Sequence, residues 1–116
     1  MIAILIAASV ASQSVPVEVG YGHLAAGRDA AAITQIEAQS TELDDPARLI
    51  NLGIAHARLG DVVRARSLFQ AALVSQDRVE LETATGAWVD SRVLARQALA
   101  MLDSGKLSRV SQIARK

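Results

Sequence analysis

The chain has 116 residues, with 12 Lys and Arg against 12 Asp and Glu, and it contains no cysteine. The balanced charge leaves no electrostatic basis for binding nucleic acid or an anionic membrane, and the lack of cysteine excludes disulfides, thiolate nucleophiles and Cys-ligated zinc. Hydrophobic residues make up 51% of the chain but aromatic residues only 3%, which predicts a core of small aliphatic side chains and closely packed helices.

The first eleven residues are uncharged and mostly apolar. They are too few to span a bilayer as a helix, which needs about 20 residues. Their length fits the apolar region of a secretory signal peptide, and Ser9 and Ala11 are small residues of the type that a signal peptidase reads. We predict that residues 1–11 are a signal peptide cleaved after Ala11, which would place the protein in the periplasm or outside the cell. A signal peptide usually begins with a positively charged residue, and residues 1–11 contain no Lys or Arg. The alternative is therefore a buried N-terminal strand or an uncleaved helix.

Residues 12–76 contain an internal repeat. A shift of the chain by 33 residues aligns Gly20 with Gly53 and Gly27 with Gly60. A period of about 33 to 34 residues is typical of arrays of helical hairpins. The sequence therefore predicts two helix–turn–helix units in this region. The same shift also aligns His23 with His56, Ala32 with Ala65 and Ile36 with Phe69.

The second unit carries clear signals for the ends of its helices. Asp45 can accept hydrogen bonds at the start of a helix, and Pro46 suits the first helical position because it has no N–H to leave unpaired. Gly60 is placed to end that helix, and Asp61 to cap the next one. The small residues Gly53, Ala65 and Ala72 are predicted to let the two helices pack closely. Apolar residues recur at helical spacing in both helices, at Leu49, Leu52, Ile54, Leu59, Leu68, Phe69 and Leu73.

The unit that begins at Pro46 resembles the tetratricopeptide repeat, whose pattern is W-x-x-L-G-x-x-Y followed by A-x-x-x-F, A and P. The chain departs from this pattern at Leu49 and His56, where the family often has Trp and Tyr, and it lacks the closing Pro. The first unit, residues 13–45, is a poorer copy. In the unit that begins at Pro46, the positions that match the family pattern are Leu52, Gly53, Ala65, Phe69 and Ala72. The resemblance implies an all-α solenoid of two to three helical hairpins.

The pattern changes after residue 76. Residues 77–90 alternate in polarity and include Gly86, which suits a three-residue turn. This predicts a short β-hairpin insertion with Leu81 opposite Val89 and Glu82 opposite Trp88. Residues 91–116 are predicted to form C-terminal capping helices or a degenerate third repeat: a long helix capped by residue 90 or 91 and ending at residue 105, then a short helix at residues 106–116.

The sequence offers little catalytic chemistry. His23 and His56 occupy equivalent places in the two units, but zinc needs at least a third ligand and the chain has neither a third histidine nor a cysteine. Each histidine is instead interpreted as a packing residue with its polar end toward solvent. No Ser-containing nucleophile motif or phosphate-binding glycine loop is present. We therefore predict no enzyme activity, no metal and no cofactor.

The family resemblance implies that the first helix of each repeat lines a concave groove that holds peptides. An amide such as Asn51 can bind a peptide backbone, and Arg58 can pair with a carboxylate. The alternative is that the groove is filled by the chain's own third helix, hairpin or tail. The residues that would line the groove are Tyr21, Leu24, Ile50, Asn51, Ile54 and Arg58.

The predicted function is a non-catalytic protein-interaction module, a scaffold or adaptor exported to the bacterial envelope. Its partner would be a protein or peptide, not a nucleic acid, and no membrane span would remain after signal cleavage. The alternative is a structural subunit that assembles with copies of itself through the ends of its solenoid.

Overall fold

The computed structural model describes residues 5–9, 19–39 and 43–107. This part of the chain is mostly helical, with a small antiparallel sheet. The elements in chain order are β1 (Ile6–Ser9), α1 (Tyr21–Ala25), α2 (Asp29–Glu37), α3 (Pro46–Arg58), α4 (Val62–Val74), β2 (Glu80–Thr83), β3 (Trp88–Asp90) and α5 (Ser91–Asp103). None of the described helices has the length and apolar character needed to cross a bilayer.

The helices begin where the sequence predicts. Asp45 accepts a hydrogen bond from the backbone N–H of Arg48 at 2.9 Å, and Pro46 occupies the first turn of α3. Asp61 accepts from the backbone N–H of Arg64 at 3.1 Å and so caps α4. These caps satisfy donors that the helix itself leaves unpaired.

Helices α1, α3 and α5 end in the same way. Each is followed by a glycine in the left-handed conformation, Gly27, Gly60 and Gly105, with φ of 79°, 90° and 75°. The backbone N–H that follows each glycine donates to the carbonyl five residues earlier, at 2.8, 2.9 and 2.9 Å. This closure satisfies carbonyls at the helix end and needs a residue that tolerates positive φ. The first two ends lie 33 residues apart, and the next interval is longer by about the length of the β-hairpin, so the same form of helix end recurs along the chain.

A second repeated feature is a close contact between a glycine in the first half of each hairpin and a large side chain on its second helix. A Cβ atom added to Gly53 would lie 2.5 Å from Cε1 of Phe69, and one added to Gly20 would lie 2.8 Å from Cδ1 of Ile36. The 33-residue shift aligns these two pairs with each other, Gly20 with Gly53 and Ile36 with Phe69. In both units the absence of a side chain on one element therefore makes room for a large buried side chain on the other.

The first unit differs from the second at its start. Gly53 lies inside α3, whereas Gly20 has φ of 70° and precedes α1, which contains only five residues. Gly20 and Gly22 disfavour a longer helix because glycine has a low helix propensity. The first hairpin is therefore a shortened copy of the second.

The predicted β-hairpin is confirmed, with Leu81 opposite Val89 and Glu82 opposite Trp88. Its loop has the predicted length: the N–H groups of Thr83 and Gly86 donate to Ala87 and Thr83 at 2.8 and 2.9 Å. Gly86 has φ of 86°, as this loop requires. Tertiary structure adds a third strand to the sheet, because β1 pairs antiparallel with β2 and gives the order β1-β2-β3.

The strand β1 lies within the segment that the sequence predicts to be a signal peptide. Within this segment the structure describes residues 5–9, where Ile6–Ser9 form a strand and Leu5 and Ile6 lie in the core, as in the alternative interpretation of a buried N-terminal strand. Cleavage after Ala11 stays a prediction, because a folded position for residues 5–9 does not decide whether a peptidase removes them.

Helix α5 follows the hairpin directly and packs mainly on α4. Asp90 caps it by accepting from the N–H groups of Arg92 and Val93 at 2.8 and 3.4 Å. A side-chain hydrogen bond of 2.7 Å from Arg78 is the main reason that the pKa of Asp90 lies below its usual range. Most of the predicted short helix at residues 106–116 lies outside the described residues.

The core runs between the helices and the inner face of the sheet. Its largest fully buried apolar side chains are Phe69, Ile6, Leu24, Ile36, Ile50, Ile54, Leu81, Leu94 and Leu107.

Candidate functional site

The six residues predicted to line a groove are brought together around α3, but most of them are buried. Leu24, Ile50, Asn51 and Ile54 have almost no exposed surface, and Tyr21 and Arg58 are partly buried. Contacts of α3 with α1, α2, α4, α5 and β1 account for this burial. The alternative stated for the sequence was that the third helix, the hairpin or the tail fills the groove. The structure places β1 against α3 as well.

Asn51 is the central polar residue of this site. Its Oδ1 accepts a hydrogen bond from the backbone N–H of Ile6 at 3.0 Å, and its Nδ2 donates to the carbonyls of Ile6 at 3.1 Å and Val19 at 2.9 Å. A fully buried amide needs such partners, because a buried polar group without hydrogen bonds is costly. The amide therefore binds both backbone groups of one residue in an extended segment, as a neighbouring strand would.

The segment around Ile6 contacts the rest of the protein on two sides, at β2 and at Asn51. Ile6 lies opposite Thr83 of β2 in the sheet, and its side chain is completely buried in the core. The same residue faces Asn51 through its backbone. The site thus combines pairing with β2, a backbone-binding amide and a buried position for an aliphatic side chain.

Arg58 is engaged within the chain and contacts α1 and α2. Its Nη1 lies 3.2 Å from Oδ1 of Asp29 and donates to the carbonyl of Leu24 at 3.0 Å. The Arg58 and Asp29 side chains are only 10% and 4% exposed. Arg58 was expected to pair with a carboxylate of a bound peptide. In the structure it pairs instead with the carboxylate of Asp29 in the same chain.

Replacing Arg58 with methionine is expected to lower the free energy of unfolding by about 3 kcal/mol, because it leaves the buried carboxylate of Asp29 without its arginine. The matched control is Arg66→Met, since Arg66 pairs with Asp103 at 2.8 Å but the two side chains are 40% and 62% exposed. That change should cost less than about 1 kcal/mol. Urea unfolding of both variants measures the difference, and equal losses would contradict a structural role for the Arg58 pair.

The two histidines have separate partners. His23 accepts a hydrogen bond from Nε of Arg28 at 3.3 Å, and Nδ1 of His56 lies 4.0 Å from Oδ2 of Asp61. Nε2 of His56 is buried without a hydrogen-bond partner among the described residues. No group of three or more potential metal ligands occurs in the described part of the chain.

Burial, reinforced by the positive charge of Arg64, lowers the pKa of His56 below 6.5, against the opposing effects of Asp61 and Glu37. The unfolded chain therefore binds a proton at this residue more readily than the folded chain does. Stability is complete above the unfolded pKa and is lost as the pH falls toward the lower folded pKa.

We expect the free energy of unfolding to decrease between about pH 7.5 and about pH 5.5, and the variant His56→Gln to reduce this dependence. The control His23→Gln should retain it, because His56 is still present. Urea titrations at both pH values provide the measurement. A His56→Gln variant with the full pH dependence would assign the effect to other groups.

Sequence reasoning identified Asn51 but not its partners in the structure. Ile6 is 45 residues away and Asp29 is 29 residues from Arg58, so no local pattern connects them. One signal was available: an amide between the apolar residues Ile50 and Leu52, within a helix, implies a buried polar group that needs a partner.

Comparison with known proteins gives no further guide to this site. No family model matches the chain, and neither a curated protein nor a solved structure is found to be similar to it.

Proposed function

We propose that the chain is a non-catalytic protein-interaction module of the tetratricopeptide-repeat type, a scaffold or adaptor in the bacterial envelope. The observation that supports this most directly is the binding of an extended backbone by Asn51, which contacts both the N–H and the carbonyl of Ile6. Contacts of this kind recognise a polypeptide by its main chain and require no particular side chain at that point.

The helical architecture adds support. The ends of α1 and α3 and the Gly20–Ile36 and Gly53–Phe69 packing pairs recur after 33 residues, which is the spacing expected for such a repeat. In such an array, successive first helices lie side by side and present one continuous surface. Asn51 lies on α3, the first helix of the second hairpin.

A photo-crosslinking experiment tests the interaction. A photoreactive amino acid replaces Tyr21, which is partly exposed beside the site, in the full chain expressed in its native host. We expect a discrete crosslinked product containing a second polypeptide. The control position is Val63 on α4, which is 82% exposed. Crosslinking at Val63 but not at Tyr21, or at neither position, would contradict the proposal.

Export is tested separately. If residues 1–11 are a signal peptide, intact-mass analysis of protein recovered from the periplasm or medium should give a chain beginning at Ser12. A cell-associated product that keeps Met1 would contradict export. The test bears directly on the site, because cleavage after Ala11 separates β1 from the rest of the chain.

The alternative function is self-assembly. It is favoured by Val63 and Val74, which are exposed on the same outer side of α4 three turns apart. Sedimentation at two concentrations distinguishes the functions, because a concentration-dependent dimer that Val63→Asp abolishes would support assembly through α4. A monomer at both concentrations would exclude it.

A further inference from the structure

We infer that the place held by β1 is a strand-acceptor site, which binds an extended aliphatic segment of a partner polypeptide antiparallel to β2. This inference rests on the proposed function and specifies the partner's chemistry: a β-strand with an aliphatic side chain at the place of Ile6. Residues 5–9 of the chain show how such a segment is bound.

The first component of the site is the edge of β2. This strand pairs with β3 on one side and with β1 on the other, with Ile6, Ala8 and Ser9 opposite Thr83, Glu82 and Leu81. Departure of β1 would expose a row of backbone N–H and carbonyl groups on β2. Such an edge is a template for an added strand.

The second component is the amide of Asn51. One of its three hydrogen bonds goes to the carbonyl of Val19, at 2.9 Å, and the other two go to Ile6. The bond to Val19 does not depend on β1, so it can hold the amide in position when the strand is absent. The remaining donor and acceptor would then be directed at an incoming backbone.

The third component provides selectivity. The side chain of Ile6 is completely buried and that of Leu5 is 7% exposed. An aliphatic side chain gains stability from this burial, whereas a carboxylate at the place of Ile6 would be buried without compensation. Main-chain bonds supply affinity for any strand, and the Ile6 pocket restricts which strands bind.

Separation of β1 from the rest of the protein requires a cut in the chain between Ile6 and Val19, both of which contact Asn51. The segment between these two residues therefore begins and ends at the same amide. A cut between Ala11 and Ser12 falls within this segment and removes neither contact. Signal-peptide cleavage, as the sequence predicts, would make the same cut and would allow a partner strand to replace β1.

The experiment uses the full chain with a site for a sequence-specific protease inserted between Ala11 and Ser12. After cutting, all parts of the protein are still present. The probe is a fluorescent peptide with the sequence of residues 1–11 and a lysine tail for solubility. We expect it to exchange with the cut segment, as measured by fluorescence anisotropy, while circular dichroism shows that the helices persist.

Two changes to the probe test recognition without altering the protein. Methylation of the Ile6 nitrogen removes the donor to Asn51, and Ile6→Asp places a carboxylate in the aliphatic pocket. Each should weaken binding by about tenfold or more, whereas an Ile6→Val probe, which loses a single methylene group, should be weakened less than either of them. On the protein, Asn51→Ala should weaken binding of the parent probe, and Trp88→Ala on β3 should not.

Several results would overturn the inference. One is failure of the probe to exchange, and another is loss of helical signal when the cut segment leaves, which would make β1 an integral strand. Equal binding of the methylated and parent probes would show that Asn51 does not recognise the backbone N–H of the bound strand. A concentration-dependent dimer of the uncut chain, dispersed by Ile6→Asp, would assign the strand to a second copy.

These outcomes are distinct from failure of the proposed function. A partner crosslinked at Tyr21 together with no probe exchange would retain the interaction module and reject the strand-acceptor site. Probe exchange without a crosslinked partner would establish the acceptor geometry but reject a foreign occupant.

Discussion

Replacing Gly53 with leucine is expected to lower the free energy of unfolding by about 3 kcal/mol. Even the first carbon of a side chain at this position would lie 2.5 Å from Cε1 and 2.8 Å from Cδ1 of Phe69. Phe69 is completely buried, so its ring has no open space into which it can withdraw. The helices α3 and α4 would have to separate, and thermal unfolding should occur about 10 °C or more below that of the parent.

A matched control separates packing from helix propensity. Gly22 lies within α1, and a Cβ atom added there would meet nothing within 4 Å. Gly22→Ala should therefore stabilise the protein slightly, by up to about 1 kcal/mol, because alanine favours helix. Gly53→Ala makes the same chemical change and should destabilise. If Gly53→Leu unfolds at the parent temperature, the close approach of α3 and α4 at this position is wrong.

Replacing Ile54 with aspartate should cost about 4 kcal/mol or more and leave much of the chain unfolded, given the small total stability of domains of this size. Ile54 is completely buried in the core, where a carboxylate would lose its hydration. Circular dichroism and urea unfolding measure the loss. The result also decides what covers Ile54, because a residue covered only by a partner would tolerate the change in the isolated chain.

Val63→Asp is the control for the charge itself. Val63 is on α4 and is 82% exposed, so its replacement should change the free energy of unfolding by less than about 0.5 kcal/mol. Equal stability of the Ile54 and Val63 variants would show that Ile54 is exposed in solution. The groove that the family resemblance implies would then be open rather than filled.

Several features of the fold were determined by the sequence because their physical causes are local. Asp45 and Asp61 cap helices through N–H groups three residues away. The pairing of Leu81 with Val89 follows from alternation and from Gly86, a loop residue with positive φ. Interactions over three to eight residues leave few alternatives, so capping residues, turn glycines and periodicity suffice to predict them.

The 33-residue spacing is a further feature that the sequence alone determined. It aligned Gly20 with Gly53 and Ile36 with Phe69, and the structure places each glycine against its large partner. A repeated unit must solve the same packing problem each time, so equivalent positions keep equivalent sizes. The alignment did not reveal that α1 is shorter than α3.

Only the tertiary structure decided what occupies the surface around Asn51. The sequence identified a backbone-binding amide on α3, but its partner Ile6 lies 45 residues away in a segment whose apolar composition also suits a signal peptide. Arg58 likewise has the charge to bind a ligand, and the path of the chain places it against Asp29 instead. The composition of a segment does not specify which distant surface it meets, because that depends on how the intervening helices pack. The same polar groups are therefore interpreted as a binding site from the sequence alone, but they form buried internal contacts in the folded chain.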